Sequence, residues 1–213
     1  MAFPAPASGA TITLRKSLNS ESVRAALSQT WDWPDAEHVA SHAQAAVAIT
    51  DHDVAALERE LRLFRVHLLA QAILATTKAL ALHWVPSQRL VDPESYRESL
   101  GHGGAPGDHA INVRMFKVPD GRPGETIMDT LGLAPFGLPD LQCHFTGLDP
   151  GELAPVLMGY AEYLFEKGDV LQDDDLVRGV QPEDEWTCQR EQSLSLPARP
   201  VMDFRPDSYG VPH

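Results

Sequence analysis

The chain holds little of what usually carries chemistry. Only two of its 213 residues are cysteine, Cys143 and Cys188, far apart and without a CxxC spacing. They read as reduced structural thiols of a cytosolic protein, and one disulfide between them is also compatible. No run of about 18 apolar residues exists to span a bilayer. Met1-Ala2-Phe3-Pro4-Ala5-Pro6 has neither a basic start nor a continuous apolar stretch, which does not fit a signal peptide. Basic residues are scarce as well: 17 Lys and Arg face 30 Asp and Glu, for a net charge of −13. A field of that sign repels phosphate and anionic lipid, so neither nucleic acid nor membrane is expected as a partner. The expected location is cytoplasmic.

Catalytic patterns are missing too. There is no GxSxG elbow and no HExxH, and Gly101-His102-Gly103-Gly104 lacks the strand-loop-helix context of a phosphate site. His38 and His42 share a helix face at a spacing that can bind metal, but no third ligand lies nearby. Asp173-Asp174-Asp175 lacks the alternating donors, glycine and distal glutamate of an EF-hand loop. No catalytic residue, metal site or cofactor is therefore expected.

What is present is material for a core, 43% of the residues being hydrophobic. Residues 10–15 alternate as a strand, and Ser20 opens a short helix through Leu27. A helical turn or two spans 35–43, and the small apolar run 45–49 reads as a buried central strand. Asp51 or Asp53 would cap the longest helix, with Val54, Leu57, Leu61, Phe64, Leu68 and Ala72 facing the core. Glu58, Arg59, Glu60, Arg62 and Arg65 would lie on its wet side. A strand over 80–85 ends at Pro86, Asp92-Pro93-Glu94 starts a helix, and the glycine-rich segment 101–108 forms a loop. Further strands are expected over 110–118 and 141–146.

Asp149-Pro150-Gly151-Glu152 opens an amphipathic helix whose stripe is Leu153, Val156, Leu157, Tyr160, Ala161, Leu164 and Phe165. Pro155 suggests a kink or a later start, and Gly168 the stop. Strands are expected over 186–191 and near 194–196. The fold class is α+β, a mixed or antiparallel sheet with packed helices in one domain over 10–196. Residues 1–9 and the proline-rich tail 197–213 would be irregular.

Two features stand out. The apolar loop 130–141 has Gly132, Gly137, Pro135 and Pro139 and should pack with a fixed backbone shape. Between residues 149 and 185, eleven acidic residues face only Lys167 and Arg178. That stretch is either a solvated face or a surface for a basic partner.

In order, Trp31-Asp32-Trp33-Pro34, the 42–49 run, His83-Trp84, Thr130-Leu131-Gly132-Leu133, Phe136-Gly137, Asp140-Leu141, 160–164 and 168–175 resemble the bacterial domain of unknown function 4261. The likeness covers about residues 10–196. Where the family tends to read Asp-Gly-Asp-Thr, this chain has Asp173-Asp174-Asp175-Leu176. The resemblance implies no enzymatic chemistry. It implies an accessory role, since some relatives occur near type VI secretion and polymorphic-toxin genes.

The expected function is a non-enzymatic protein-binding protein, an immunity protein or secretion accessory factor. Asp149, Glu152, Glu162, Glu166, Asp169, Asp173, Asp174 and Asp175 would meet a basic toxin or secretion component. Alternatives are a small-ligand protein or enzyme with a cleft at Trp31, Trp33, His83 and Trp84, or a structural subunit of a larger assembly. The sequence is silent on oligomeric state.

Overall fold

In the computed structural model, residues 9–16, 20–52, 58–101, 107, 109–119, 121–206 and 210 are described. Their architecture is α+β, with helices and a mixed sheet, as expected. Contacts gather in two units, Met1–Ala110 and Ile111–His213, each described by itself.

In the first unit, strands β1 (Ala10–Arg15) and β2 (Ala46–Asp51) form an antiparallel two-stranded ribbon. This corrects the expected buried central strand: among the described residues β2 pairs with β1 alone, and it is only partly buried. Helices α1 (Ser20–Leu27) and α2 (Ala36–Ser41) lie between them in sequence. Helix α3 spans Arg59–Thr76, and strands β3 (Leu82–Trp84) and β4 (Arg89–Val91) form a hairpin. Helix α4 (Pro93–Gly101) starts as expected, with Asp92 Oδ2 accepting from the N–H groups of Glu94 and Ser95 at 3.0 and 2.9 Å.

Helix α3 departs from its expected orientation. It buries Arg62, Leu63, His67, Ala70 and Leu74. Leu61, Phe64 and Leu68, assigned to the core, are 55%, 60% and 49% exposed. The reason is an ion pair. Asp51 does not cap the helix; it accepts from Arg62 Nε at 3.0 Å and pairs with Arg65, which turns the arginine side toward β2. Expected positions Asp53, Val54 and Leu57 lie outside the described residues, as do 102–106 of the glycine-rich segment and residues 1–8.

The second unit is a six-stranded sheet with helix α5 (Pro150–Lys167) against one face. Its strands are β5 (Asn112–Lys117), β6 (Thr126–Leu131), β7 (Asp140–Phe145), β8 (Leu176–Arg178), β9 (Glu185–Gln192) and β10 (Pro200–Arg205). The order is β5-β6-β7-β10-β9-β8, and β7 with β10 is a parallel pair among antiparallel ones. Two tail expectations are corrected. Residues 194–196 form bends, and 200–205 are not irregular but a central strand. Val201, Met202 and Phe204 are fully buried, while Pro200, which has no N–H to donate, sits at the strand's first position.

Helix α5 follows its sequence signals. Asp149 Oδ1 accepts from Gly151 N–H at 2.8 Å, and Leu153, Leu157, Ala161, Leu164 and Phe165 are buried. The helix starts at Pro150 and continues through Pro155. Gly168, at φ 94°, closes it by donating to the Leu164 carbonyl at 2.8 Å. Both cysteines are buried thiols with no bridge between them, and burial pushes Cys143 well up and Cys188 up to about 11.

Candidate functional site

Residues paired across neighbouring strands point to the same face. Arg114 opposes Asp129, Asp129 opposes Gln142, Gln142 opposes Asp203, and Asp203 opposes Gln189. A polar row therefore crosses five strands. The opposite face carries Leu141, Cys143, Met202 and Phe204, all fully buried, with α5 against it through the Tyr160–Phe204 ring contact at 5.1 Å.

From Arg114 to Asp203 the row is buried yet well bonded. Arg114 donates to both Asp129 oxygens, from Nε at 2.9 Å and Nη2 at 2.7 Å. Arg199 donates from Nη2 to Asp129 Oδ2 at 2.8 Å and from Nε to Asp140 Oδ2 at 2.9 Å. Ser195 hydroxyl also donates to Asp129. Two guanidiniums thus match two carboxylates in the low-dielectric interior. Burial pushes the Asp140 carboxyl up, with Arg199 and the Leu133 N–H opposing that shift.

This network fixes two pieces of backbone. The first is the apolar loop after β6. Asp140 Oδ1 accepts from Leu133 N–H at 3.1 Å, and Thr130 Oγ1 accepts from Leu141 N–H at 2.8 Å. Gly132 (φ 134°) and Gly137 (φ 73°) supply the positive backbone angles around a 3-10 turn at Ala134–Phe136, while Leu133 and Leu138 are buried. The second is segment 193–199. Arg114 Nη1 donates to the Leu196 carbonyl, Arg199 Nη1 to the Pro197 carbonyl, both at 2.9 Å, and Gln142 Oε1 accepts from Leu194 N–H at 2.8 Å.

The eight acidic positions split into two places. Asp149 and Glu152 sit at the N-terminal end of α5, where they complement its dipole. Glu162, Glu166 and Asp169 belong to its C-terminal end. Fourteen residues separate Glu152 from Glu166, about 21 Å along a helix. At the C-terminal end Asp169 pairs with Arg190 at 2.6 Å, Glu166 pairs with Lys167 at 2.6 Å, and Asp173 Oδ1 accepts from Arg190 N–H at 2.8 Å. Asp175 Oδ2 accepts from Gln172 N–H at 2.8 Å. Asp173, Asp174 and Asp175 are nonetheless exposed.

Asp174 has φ 67°, its N–H bonding the Cys188 carbonyl, while Cys188 N–H bonds Asp175. Two residues thus oppose one across the ladder, a β-bulge whose first position favours glycine. Position 174 therefore requires a left-handed backbone, and here an aspartate tolerates it. Asp174→Gly is expected to stabilise the second unit by about 0.5–1 kcal/mol and Asp174→Val to destabilise it, read from denaturant midpoints.

The expected cleft residues are only partly brought together. The Thr30 hydroxyl accepts from Leu90 N–H at 3.3 Å and Asp32 pairs with Arg89 at 2.8 Å, holding the Trp31 and Trp33 segment beside the β3–β4 hairpin. Trp31 is 70% exposed, however, and Trp84 packs edge-on against His67 at 5.4 Å. Burial lowers the His83 pKa. A polar chain missed by sequence reasoning continues inward: His67 Nδ1 bonds the hydroxyl of fully buried Tyr96 at 2.6 Å, and His109 Nε2 bonds Ser99 Oγ at 2.6 Å. Burial also pushes the Tyr96 phenol up. The Ser99 hydroxyl also lies 3.1 Å from the Tyr96 carbonyl one helical turn back, a second acceptor for its proton. His38 and His42 do stack, at 4.6 Å, and among the described residues no three His, Cys, Asp or Glu side chains gather to hold a metal ion. Nor is any helix among them long and apolar enough to cross a membrane.

Residues 129–205 match the family model described as a domain of unknown function, DUF4261. The match runs from β6 to the end of β10, so it spans every member of the buried network except Arg114. No curated protein and no solved structure matches the chain.

Proposed function

We propose that the chain is a non-enzymatic protein-binding protein. In this reading it is a cytoplasmic immunity protein or accessory factor of a bacterial toxin or type VI secretion system, and its acidic surface occludes a basic partner. One observation carries it: the exposed carboxylates Glu166, Asp169, Asp173, Asp174 and Asp175 gather where α5 meets the following turn. Lys167 and Arg190 are the basic groups paired with them. Such a surface accelerates encounter with a positive partner and orients it.

The test is co-expression with the product of the neighbouring gene. A complex is expected, together with relief of that product's toxicity. The variant D169N/D173N/D174N/D175N should slow association at least tenfold at low salt, because rim charges act mainly on the on-rate. Asparagine keeps a carbonyl acceptor for the Arg190 and Gln172 N–H groups, so the turn survives the change. No complex and no rescue would remove the reading. A small-ligand or enzymatic role would centre on the His67–Tyr96 and Ser99–His109 pairs.

A further inference from the structure

Helix α3 is apolar on two sides. One side, with Leu63, Ala70 and Leu74, is buried, and Ala70 and Leu74 join Val91 and Tyr96 in one cluster. The other carries Leu61, Phe64, Leu68, Ala72 and Ala75, all exposed. These five share one helix face, and Gln71 beside them is uncharged. A water-facing side normally carries charge, whereas a helix apolar on both sides lies between two layers.

The order of the five side chains says what the second layer is. Their steps along the chain are three, four, four and three, the same from either end, with Leu68 at the centre. Their sizes are not symmetric: Leu61 and Phe64 precede the centre and two alanines follow it. An antiparallel copy of the helix therefore sets Leu61 against Ala75, Phe64 against Ala72, and Leu68 against Leu68. Large meets small on both sides of the centre, which is how facing side chains interdigitate. Steps of three and four are also the spacing along which two helices pack as a seam. A parallel copy would crowd bulk against bulk at one end and leave a gap at the other.

Charge agrees with the antiparallel register. Glu58 and Glu60 are exposed at the start of the helix, with Arg59 half-buried between them, and Lys78 is exposed just past its end. The register that centres on Leu68 sets Glu58 opposite Lys78 of the second copy, once at each end of the seam.

We propose that α3 is a homodimerisation surface, on which a second copy of this chain packs its own α3 antiparallel about a twofold axis at Leu68. A twofold contact uses the same patch on both copies, so it requires a self-complementary stripe of this kind. The inference goes beyond the acidic-surface reading and is independent of it, because residues 166–175 belong to the second unit and α3 to the first. From Leu61 to Ala75 the seam is about 21 Å long, so the dimer is expected to be weak and to depend on concentration.

The experiment is analytical ultracentrifugation of the intact chain over a range of concentrations. The mass should rise from that of one chain to that of two through the micromolar range. Leu68→Arg sets two like charges together at the centre and should weaken association at least tenfold. Leu61→Ala and Ala75→Leu should each weaken it as well, the first by leaving a gap and the second by overfilling. L61A/A75L exchanges the two volumes and should return the association constant to within about threefold of the wild type. All four variants alter exposed positions, so at high dilution they should melt close to the wild type. A mass that stays at one chain's up to millimolar concentration overturns the pairing. So does a dimer that L68R leaves intact, or one that the volume exchange fails to recover.

Discussion

Asp129→Asn is expected to cost about 3–5 kcal/mol of stability, read as a lowered denaturant midpoint with unchanged slope. Asp129 accepts from Arg114, Arg199 and Ser195, so neutralising it leaves two buried guanidiniums short of charge. The double replacement Arg114→Met with Asp129→Leu should cost less than the single one, because it removes a charge of each sign and leaves Arg199 bonded to Asp140 and the Thr130 carbonyl. Asp169→Asn, whose partner Arg190 lies at the surface, sets the comparison at under about 1 kcal/mol. Equal costs at positions 129 and 169 would show that the buried network is no more than a surface pair in effect.

A chain ending at residue 197 is expected to lose the cooperative unfolding of the second unit. It would lack β10, and with it Val201, Met202 and Phe204, all fully buried, as well as Arg199. Each large buried side chain is worth roughly 2–5 kcal/mol, so three together rival the ~5–15 kcal/mol that holds a typical domain. The sheet would also split, since β10 joins β7 to β9. Circular dichroism and amide exchange of residues 111–197 measure the effect. A chain ending at residue 206 is the control and should keep a cooperative transition. If the shorter chain unfolds as sharply as the control, β10 is dispensable.

How legible this was depended on where the polar residues fell. Helix α5 was readable at both ends and along its stripe, because Asp149, Pro150, the Leu153-to-Phe165 positions and Gly168 agree, while Pro155 pointed to a later start that the helix does not have. Asp92-Pro93 was equally clear. Helix α3 carries two apolar stripes, one through Leu61, Phe64 and Leu68, the other through Leu63, Ala70 and Leu74. Periodicity detects both and cannot choose between them; the choice is made by Asp51, on the preceding strand, drawing Arg62 and Arg65 inward. Strands β6 and β10 escaped for a related reason. Asp129 and Asp203 stand in their middles, and a buried aspartate breaks the apolar alternation by which a strand is recognised. The loop 130–141 was legible as a fixed shape, but its anchor, Arg199, lies 59 residues from Asp140 in the chain. Arg114, also read as ordinary strand, is among the most buried side chains of the protein. The acidic positions were plain in composition, whereas their division between two ends of α5 follows only from helix length.

The place of β10 in the sheet also sets the order in which the second unit can be completed. During synthesis β5, β6 and β7 emerge first and can pair as a meander, and β8 with β9 can follow as a hairpin. The strand that unites them is made last of the six. Until it arrives, β7 presents an open edge flanked by apolar Leu141 and Cys143, the kind of edge that recruits foreign strands. Closing the sheet then means threading one strand between two preformed pieces, a non-local step that slows folding. Newly made chains should therefore pass through an interval of vulnerability that ends only when residues 200–205 clear the ribosome.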